Sequence, residues 1–517
     1  MGTNKKTQTF KTFIDFLHKH EWLVVLLFVV FVLRVPSLHE PHWYGDEEIY
    51  LVMGQGLRKG LVFYRDIFDH KTPLIYVVAA LVRNVFWFRM LLMVVHAVSV
   101  VLFAKLADLL FKKRSSVITS TVLYSILSTL PMLEGNIANG ENFMTVPALG
   151  GMLLVYQLAK KGKKASSVQF FVVGLLFSLG FLIKVPIVFD FFAAGYFWWL
   201  ISQKKLTIKA TFSRLLSKEL WFTILGFLAP ILLSVVYYYA KGAIEPYVRS
   251  ALLQNIGYIE SWEGKQSSPF ANPLVWRMLL IAGFGLIFLV LKKHKKSSNR
   301  VLFLSMWLLL SLYGSLLSNR PYPHYLLQPL IPAVFLFGLM FDVFASKKNY
   351  RDLAVGSGIF GIVIVLLIEI GFWHYPTIPY YKNFVEYVSG KKDRQAYENY
   401  FPSSLERNKK IASYLRKRTL PDERVFVWGE EPAIYDLSDR LPVGRYIVSF
   451  HIRDFPNGYD ETYKAVATEK PRFIVVIPGQ PPHFPELEAL IQNNYIKVKT
   501  IDGVDVHMIL ESELARW

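Results

Sequence analysis

Carboxylates, amines and imidazoles crowd the stretch 42–73, HWYGDEEIYLVMGQGLRKGLVFYRDIFDHKTP, with Asp46, Glu47 and Glu48 near one end and Asp69, His70 and Lys71 near the other. Further along, Glu141 stands in NGENFMTVP, Lys184 in FLIKVP, and Arg320, His324 and Tyr325 in NRPYPHYLLQP. A carboxylate can take a proton from an incoming acceptor, and lysine or arginine can stabilise a departing phosphate. Asp46, His70 and His324 are also candidate ligands for Mg²⁺, Mn²⁺ or Zn²⁺, although no spacing amounts to a ligand motif. Each residue has a plainer role open to it. Glu47 and Glu48 suit a helix start, Glu141 the first turn of a span, Lys184 a snorkelling anchor and His324 an interface histidine. The tyrosines and tryptophans near these groups suit an interfacial belt.

Composition says what must hold these groups. The chain has 517 residues, 53% of them hydrophobic and 15% aromatic, which suits a polytopic membrane protein. Its net charge of +19 sits in short clusters between apolar runs, not along one soluble face, so nucleic acid is not the expected partner. Without cysteine there is no disulfide framework and no thiolate metal site. Lysines precede the first apolar run and no small-residue cleavage site follows it, so that run reads as a retained span.

At about 20 apolar residues per crossing, about eleven spans are expected, at 22–37, 86–110, 117–133, 142–158, 168–183, 185–201, 220–240, 274–291, 301–317, 325–344 and 353–372. Lys184 and Pro186 divide the long run 168–201, and the short run 73–81 reads as an interfacial helix. With those two choices, every basic cluster falls on the cytoplasmic side. The N-terminus is then cytoplasmic. The first outer loop (38–85), Glu141, Lys184, Arg320, His324 and everything after 374 are extracytoplasmic. Ile49, Val52, Met53, Gly56 and Leu57 share one face, predicting a helix on the membrane surface that follows Gly45 and Asp46 and ends at Gly60. A second surface helix is expected around Tyr247, Leu252, Leu253, Ile256 and Tyr258.

The membrane domain is assigned to 1–374 and a small α/β domain to 375–517. Strands are expected at 424–430, 445–450, 471–479 and 495–510, the last a hairpin turned at Asp502-Gly503, with helices near 404–418, 460–468 and 484–493.

Taken in order, GDEEIYLVMGQGLRKGLVFYRDIFDHKTPL, NGENFMTVP, FLIKVP and NRPYPHYLLQPLIP resemble the integral-membrane glycosyltransferases of the protein-mannosyltransferase and aminoarabinose-transferase group, over about the first three quarters of the chain. The resemblance implies the GT-C fold and transfer of a sugar from a polyprenyl-phosphate-sugar donor to an envelope acceptor (glycolipid, polysaccharide or protein), with inversion. By matching position, Asp46 resembles the acidic residue beside the acceptor, Glu47 completes the pair, and Glu141 is the second acidic position. Lys71 and Lys184 resemble the contacts to the carrier phosphate, with Arg320 assisting and Tyr325 near the carrier. His70 replaces a glutamate of the aminoarabinose branch, and no large lumenal domain is present. The rival classes are a transporter or flippase of lipid-linked sugars, whose charges belong near the bilayer midplane, and a non-catalytic membrane scaffold.

Overall fold

The computed structural model describes residues 21–161, 165–202, 216–253, 273–318, 320–345, 350–455, 457–479 and 483–510. Much of the basic loop sequence, with Ile256 and Tyr258, lies outside the described residues. From the N-terminal side run α1 (Glu21–His39), the loop helices α2 (Gly45–Arg58) and α3 (Leu74–Val82), then α4 (Val85–Leu110), α5 (Arg114–Leu127), α6 (Gly140–Lys161), α7 (Ser167–Phe181), α8 (Val188–Ser202) and α9 (Lys218–Ala240). A short α10 (Ile244–Tyr247) continues into a π-helical turn, Val248–Leu253. Next come α11 (Pro273–Lys293), α12 (Asn299–Ser315), α13 (Leu327–Ala345) and α14 (Tyr350–Ile370).

An apolar helix stands at each of the places expected for a span, but only seven, among the described residues, are long and apolar enough to cross a membrane. Their outward faces are greasy, as Val25, Phe28, Leu233, Leu286 and Ile368 show. The shortfall lies in α5, α7, α8 and α12, and all four give way to irregular chain at the same place. Beyond α5 comes Glu134, between α7 and α8 comes Lys184, and beyond α12 come Ser318 and Arg320, all lining one cavity. The four helix ends thus supply irregular backbone to one cavity wall.

Glycines set the closest helix crossing. A Cβ on Gly174 of α7 would come 2.0 Å from the Thr223 carbonyl of α9, and one on Gly226 would come 2.0 Å from the Phe171 carbonyl. Small residues let the two backbones touch. Gly174→Leu is expected to force them apart at a cost of about 1–3 kcal/mol or more. The check is the thermal unfolding midpoint in detergent, and an unchanged midpoint contradicts it.

The loop between α1 and α4 departs from expectation. The α2 helix already includes Gly45 and Asp46, and Gly60 at φ 86° follows its end as expected, but everything from Glu47 to Gly56 is buried. It is therefore not a helix resting on a membrane surface: α3 covers one side, where a Cβ on Gly54 would meet the Ala80 amide at 2.6 Å, and the C-terminal domain covers another. The run 73–81 forms α3, nine residues, far too short to span.

After α15 (Thr377–Val388) and α16 (Arg394–Glu398), the C-terminal domain is built from α17 (Ser404–Arg416), β1 (Phe426–Trp428), α18 (Ala433–Ser438), α19 (Ser449–Asp454), α20 (Gly458–Glu469), β2 (Phe473–Val476), α21 (Pro485–Asn494), β3 (Tyr495–Ile501) and β4 (Val504–Ile509). The sheet order is β1-β2-β4-β3, with β1 parallel to β2 and the other pairs antiparallel. Asp502 and Gly503, both at positive φ, turn the expected hairpin. The segment 445–450 is not a strand of this sheet. Tyr446 makes one isolated bridge to Phe68, and helix α19 begins at Ser449. Tyr446 faces the loop before α3, whose Phe68 ring packs on Tyr446, His451 and Phe455.

Candidate active site

Three successive carboxylates open α2, where the positive end of the helix dipole favours them. A helix advances about 100° per residue, so neighbours cannot share a partner. Asp46 meets Lys71 Nζ at 3.1 Å. Glu47 turns to Arg89 of α4, accepting Nε at 3.0 Å and Nη2 at 2.6 Å, and also accepts the Ala138 amide at 2.7 Å. Glu48 turns to the C-terminal domain and accepts the Ala433 amide at 3.2 Å. Glu47 is 0% exposed and does not line the cavity. Glu47, which the resemblance implies completes a pair with Asp46, thus faces Arg89 and not the cavity, and it anchors the loop to α4.

The remaining expected residues come together. Asp46, His70, Lys71, Glu141, Lys184, Arg320, His324 and Tyr325 line one cavity of about 830 Å³. Lys184 enters it from the extended break before Pro186, its Nζ 2.9 Å from Glu141 Oε1 and 5.4 Å from the centre of the Tyr325 ring. Gly140 leaves room for the Lys184 stem, since a Cβ there would lie 3.2 Å from its Cδ. Glu141 is buried, and its Oε2 has no hydrogen-bond partner. Such an oxygen is costly to bury unless something from the cavity meets it. Lys71 also sits 4.8 Å above the Tyr50 ring, and the Tyr50 hydroxyl donates to Asp46 Oδ2 at 3.2 Å.

Asp46 is partly open to the cavity, its side chain 28% exposed. Burial pushes its carboxyl up, but Lys71, Lys184 and His324 outweigh that and hold it at about 2. It is an anion at every physiological pH.

Sequence reasoning passed over the group beside it. Glu134, left-handed at φ 54°, binds His324 Nδ1 and accepts the Tyr44 hydroxyl, which is also 3.3 Å from His324 Nδ1. Burial and Glu134 together raise the Tyr44 hydroxyl well above its ordinary range. The turn LEGN was the available signal, yet nothing local ties Glu134 to a histidine 190 residues away. The set Asp46, His70 and His324 does not gather as three metal ligands. Among the described residues, the group close enough is Asp69, His70 and His451.

The C-terminal domain supplies the opposite wall of the cavity through Glu430, Pro432, Val448, Phe450, Arg453 and Asp454. Its seam with the loop is polar: Gln55 donates to Asp439 at 3.0 Å, Arg445 donates to the Tyr64 carbonyl at 3.0 Å, and His42 lies 3.5 Å from Asp436. Burial drives the Asp436 carboxyl up to about 7, against the pull of Arg58, and drives His42 down to about 3. An unfolded aspartate titrates near 3.9, so between about pH 4 and about pH 7 the folded chain holds a proton at Asp436 that the unfolded chain has lost. Stability then falls as pH rises through that window. His42 works in the opposite sense, because the unfolded chain protonates it first as pH drops. The difference between wild type and Asp436→Asn isolates the aspartate. The variant is expected to gain stability on the wild type from pH 4 to pH 7, read as unfolding midpoints, and parallel curves would contradict it.

No protein-family model and no curated protein sequence matches the chain. Among solved structures it is similar to the archaeal oligosaccharyltransferase AglB from Archaeoglobus fulgidus in complex with an inhibitory peptide and a dolichol-phosphate, at 11% identity and a TM-score of 0.44, over 89% of this chain and 70% of that one.

Proposed function

We propose that this chain is a polytopic GT-C-type glycosyltransferase. In this reading it moves a sugar from a polyprenyl-phosphate carrier to an envelope acceptor at the outer membrane face, with inversion at the anomeric carbon. The N-terminus is cytoplasmic and the C-terminal domain extracytoplasmic. One observation carries the reading: a single cavity holds an ionised Asp46 among Lys71, Lys184 and His324, with Arg320 on its wall.

The chemistry runs as a one-step displacement. The acceptor oxygen attacks the anomeric carbon, the bond from that carbon to the phosphate oxygen breaks with its electron pair going to phosphate, and the acceptor proton passes to Asp46. A carboxylate held at about 2 is a weak base while both lysines serve it. A bound phosphate draws Lys71 and Lys184 toward itself, and Asp46 then recovers basicity when the acceptor arrives. The same lysines stabilise the leaving phosphate, so a general acid is not required. Glu141 holds Lys184 in place, and its second oxygen remains for a sugar or acceptor hydroxyl. The rings of Tyr322, Tyr375 and Trp373 line the cavity beside these groups.

Purified protein offered a panel of radiolabelled polyprenyl-phosphate sugars is expected to release or transfer label from one of them. Lys184→Ala is expected to raise the donor KM at least about tenfold, in keeping with a lost charge-assisted contact. Turnover of none of the panel, or an unchanged donor KM in Lys184→Ala, overturns the assignment.

A further inference from the structure

We propose that Asp69, His70 and His451 form a binding site for a zinc-type divalent cation that pins the loop before α3 to helix α19 of the C-terminal domain. Asp69 and His451 are 0% and 2% exposed, and His70 lines the cavity wall. Asp69 Oδ1 lies 3.0 Å from His70 Nδ1 and 3.2 Å from His451 Nε2, and the ligand atoms of all three lie within 4.8 Å of one another. Ligands at about 2.0–2.1 Å on a tetrahedral ion stand about 3.3 Å apart, so Asp69 is at ligating separation from each imidazole, and the two imidazoles lie within 4.8 Å of each other. Two imidazoles and one carboxylate are a donor set that suits zinc and leaves a fourth position open.

Hydrogen bonding alone leaves this cluster unexplained. The His451 Nε2 contact is poorly aligned for a hydrogen bond, and neither ring nitrogen of this buried histidine has a hydrogen-bond partner. A buried ring without a well-formed hydrogen bond is expensive, and a cation that takes the Nε2 lone pair gives one of its nitrogens a partner. The carboxylate is already oriented as a metal ligand needs. The Tyr76 hydroxyl donates to Asp69 Oδ2 at 2.9 Å and accepts the Lys71 amide at 2.9 Å, while Oδ1 accepts the His70 amide at 2.8 Å and faces both imidazoles. Outer partners of this kind commonly fix ligating carboxylates. Lys71 Nζ, 3.8 Å from Asp69 Oδ2, opposes a cation, but its shorter contact is to Asp46 at 3.1 Å.

The site would act by position. Asp69 and His70 immediately precede Lys71, and His451 lies between Phe450 and Arg453 on the cavity wall. One ion thus fixes the height of Lys71 and the approach of α19 together. The proposal is independent of the transferase reading, because it concerns which residues hold an ion and not what reaction follows.

The test uses full-length protein in detergent, purified through a tag without histidine, stripped with chelator and titrated with Zn²⁺ alone. One tight zinc per chain is expected, with Co²⁺ giving the intense visible absorption of a tetrahedral site. His451→Gln is expected to weaken zinc binding at least about 100-fold, while His483→Gln, at an exposed histidine in the same domain, leaves it unchanged. His451→Cys is expected to keep the ion and add a thiolate charge-transfer band to the cobalt spectrum. Failure of stripped wild type to bind zinc overturns the proposal without any variant. Equal affinity in His451→Gln, or a cobalt spectrum that His451→Cys does not alter, overturns it equally.

Discussion

Asp46→Asn is expected to lower kcat/KM for sugar transfer by about 10²–10⁴, the range for a positioned proton acceptor. The amide preserves size and can still accept the Tyr50 hydroxyl, which now donates to Asp46 Oδ2 at 3.2 Å, so the loop should fold unchanged. The loss belongs in kcat. Donor KM should stay level or fall, because removing the anion frees Lys71 for phosphate. That split separates a proton acceptor from a residue that merely holds Lys71 in place, whose removal would raise donor KM. Retention of more than about a tenth of wild-type turnover would remove Asp46 from the reaction.

The other large effect is on the fold. Arg89 is fully buried and bridges two buried carboxylates, Glu47 and, at 3.3 Å, Glu40. Arg89→Met strands them. Glu40 keeps donors from Trp43 and Asn136 at 2.8 and 2.9 Å and from Tyr380, so the cost falls mainly on Glu47. Breaking a buried pair by removing one partner costs about 3–5 kcal/mol. A large drop in the unfolding midpoint is expected, and the double variant Arg89→Met/Glu47→Gln should recover a substantial part of it because the Glu47 charge is gone and Glu40 keeps its other donors. If the double variant unfolds no later than the single one, the stranded carboxylate is not the cause.

The two carboxylates also show how far the sequence could be read. Asp46, Lys71, Glu141 and Lys184 are legible because each sits at an end of an apolar run, where a charge is conspicuous. The division of 168–201 follows from its length together with Lys184, Pro186 and the placement of the basic clusters. What separates Asp46 from Glu47 is a rotation about a helix axis together with an arginine 42 residues away inside an apolar helix, and no local pattern encodes that pairing. The segment 445–450 misleads for a related reason. Its short run of aromatic and β-branched residues suits a strand, but Phe68 and the start of α19 decide its conformation. Burial of α2 was hidden likewise, because the narrow stripe that suits a membrane surface equally suits a helix covered later by a separate domain.

That late cover has a kinetic consequence. Glu48 and Gln55 find their partners Ala433 and Asp439 at separations of 385 and 384 residues. At ribosomal rates of about 5–20 residues per second, the first outer loop waits roughly 20–80 s between emerging and being capped. Throughout biogenesis it is an open, half-satisfied segment that a quality-control protease or chaperone can engage, and nascent chains stalled before 433 should be cleared faster than finished ones.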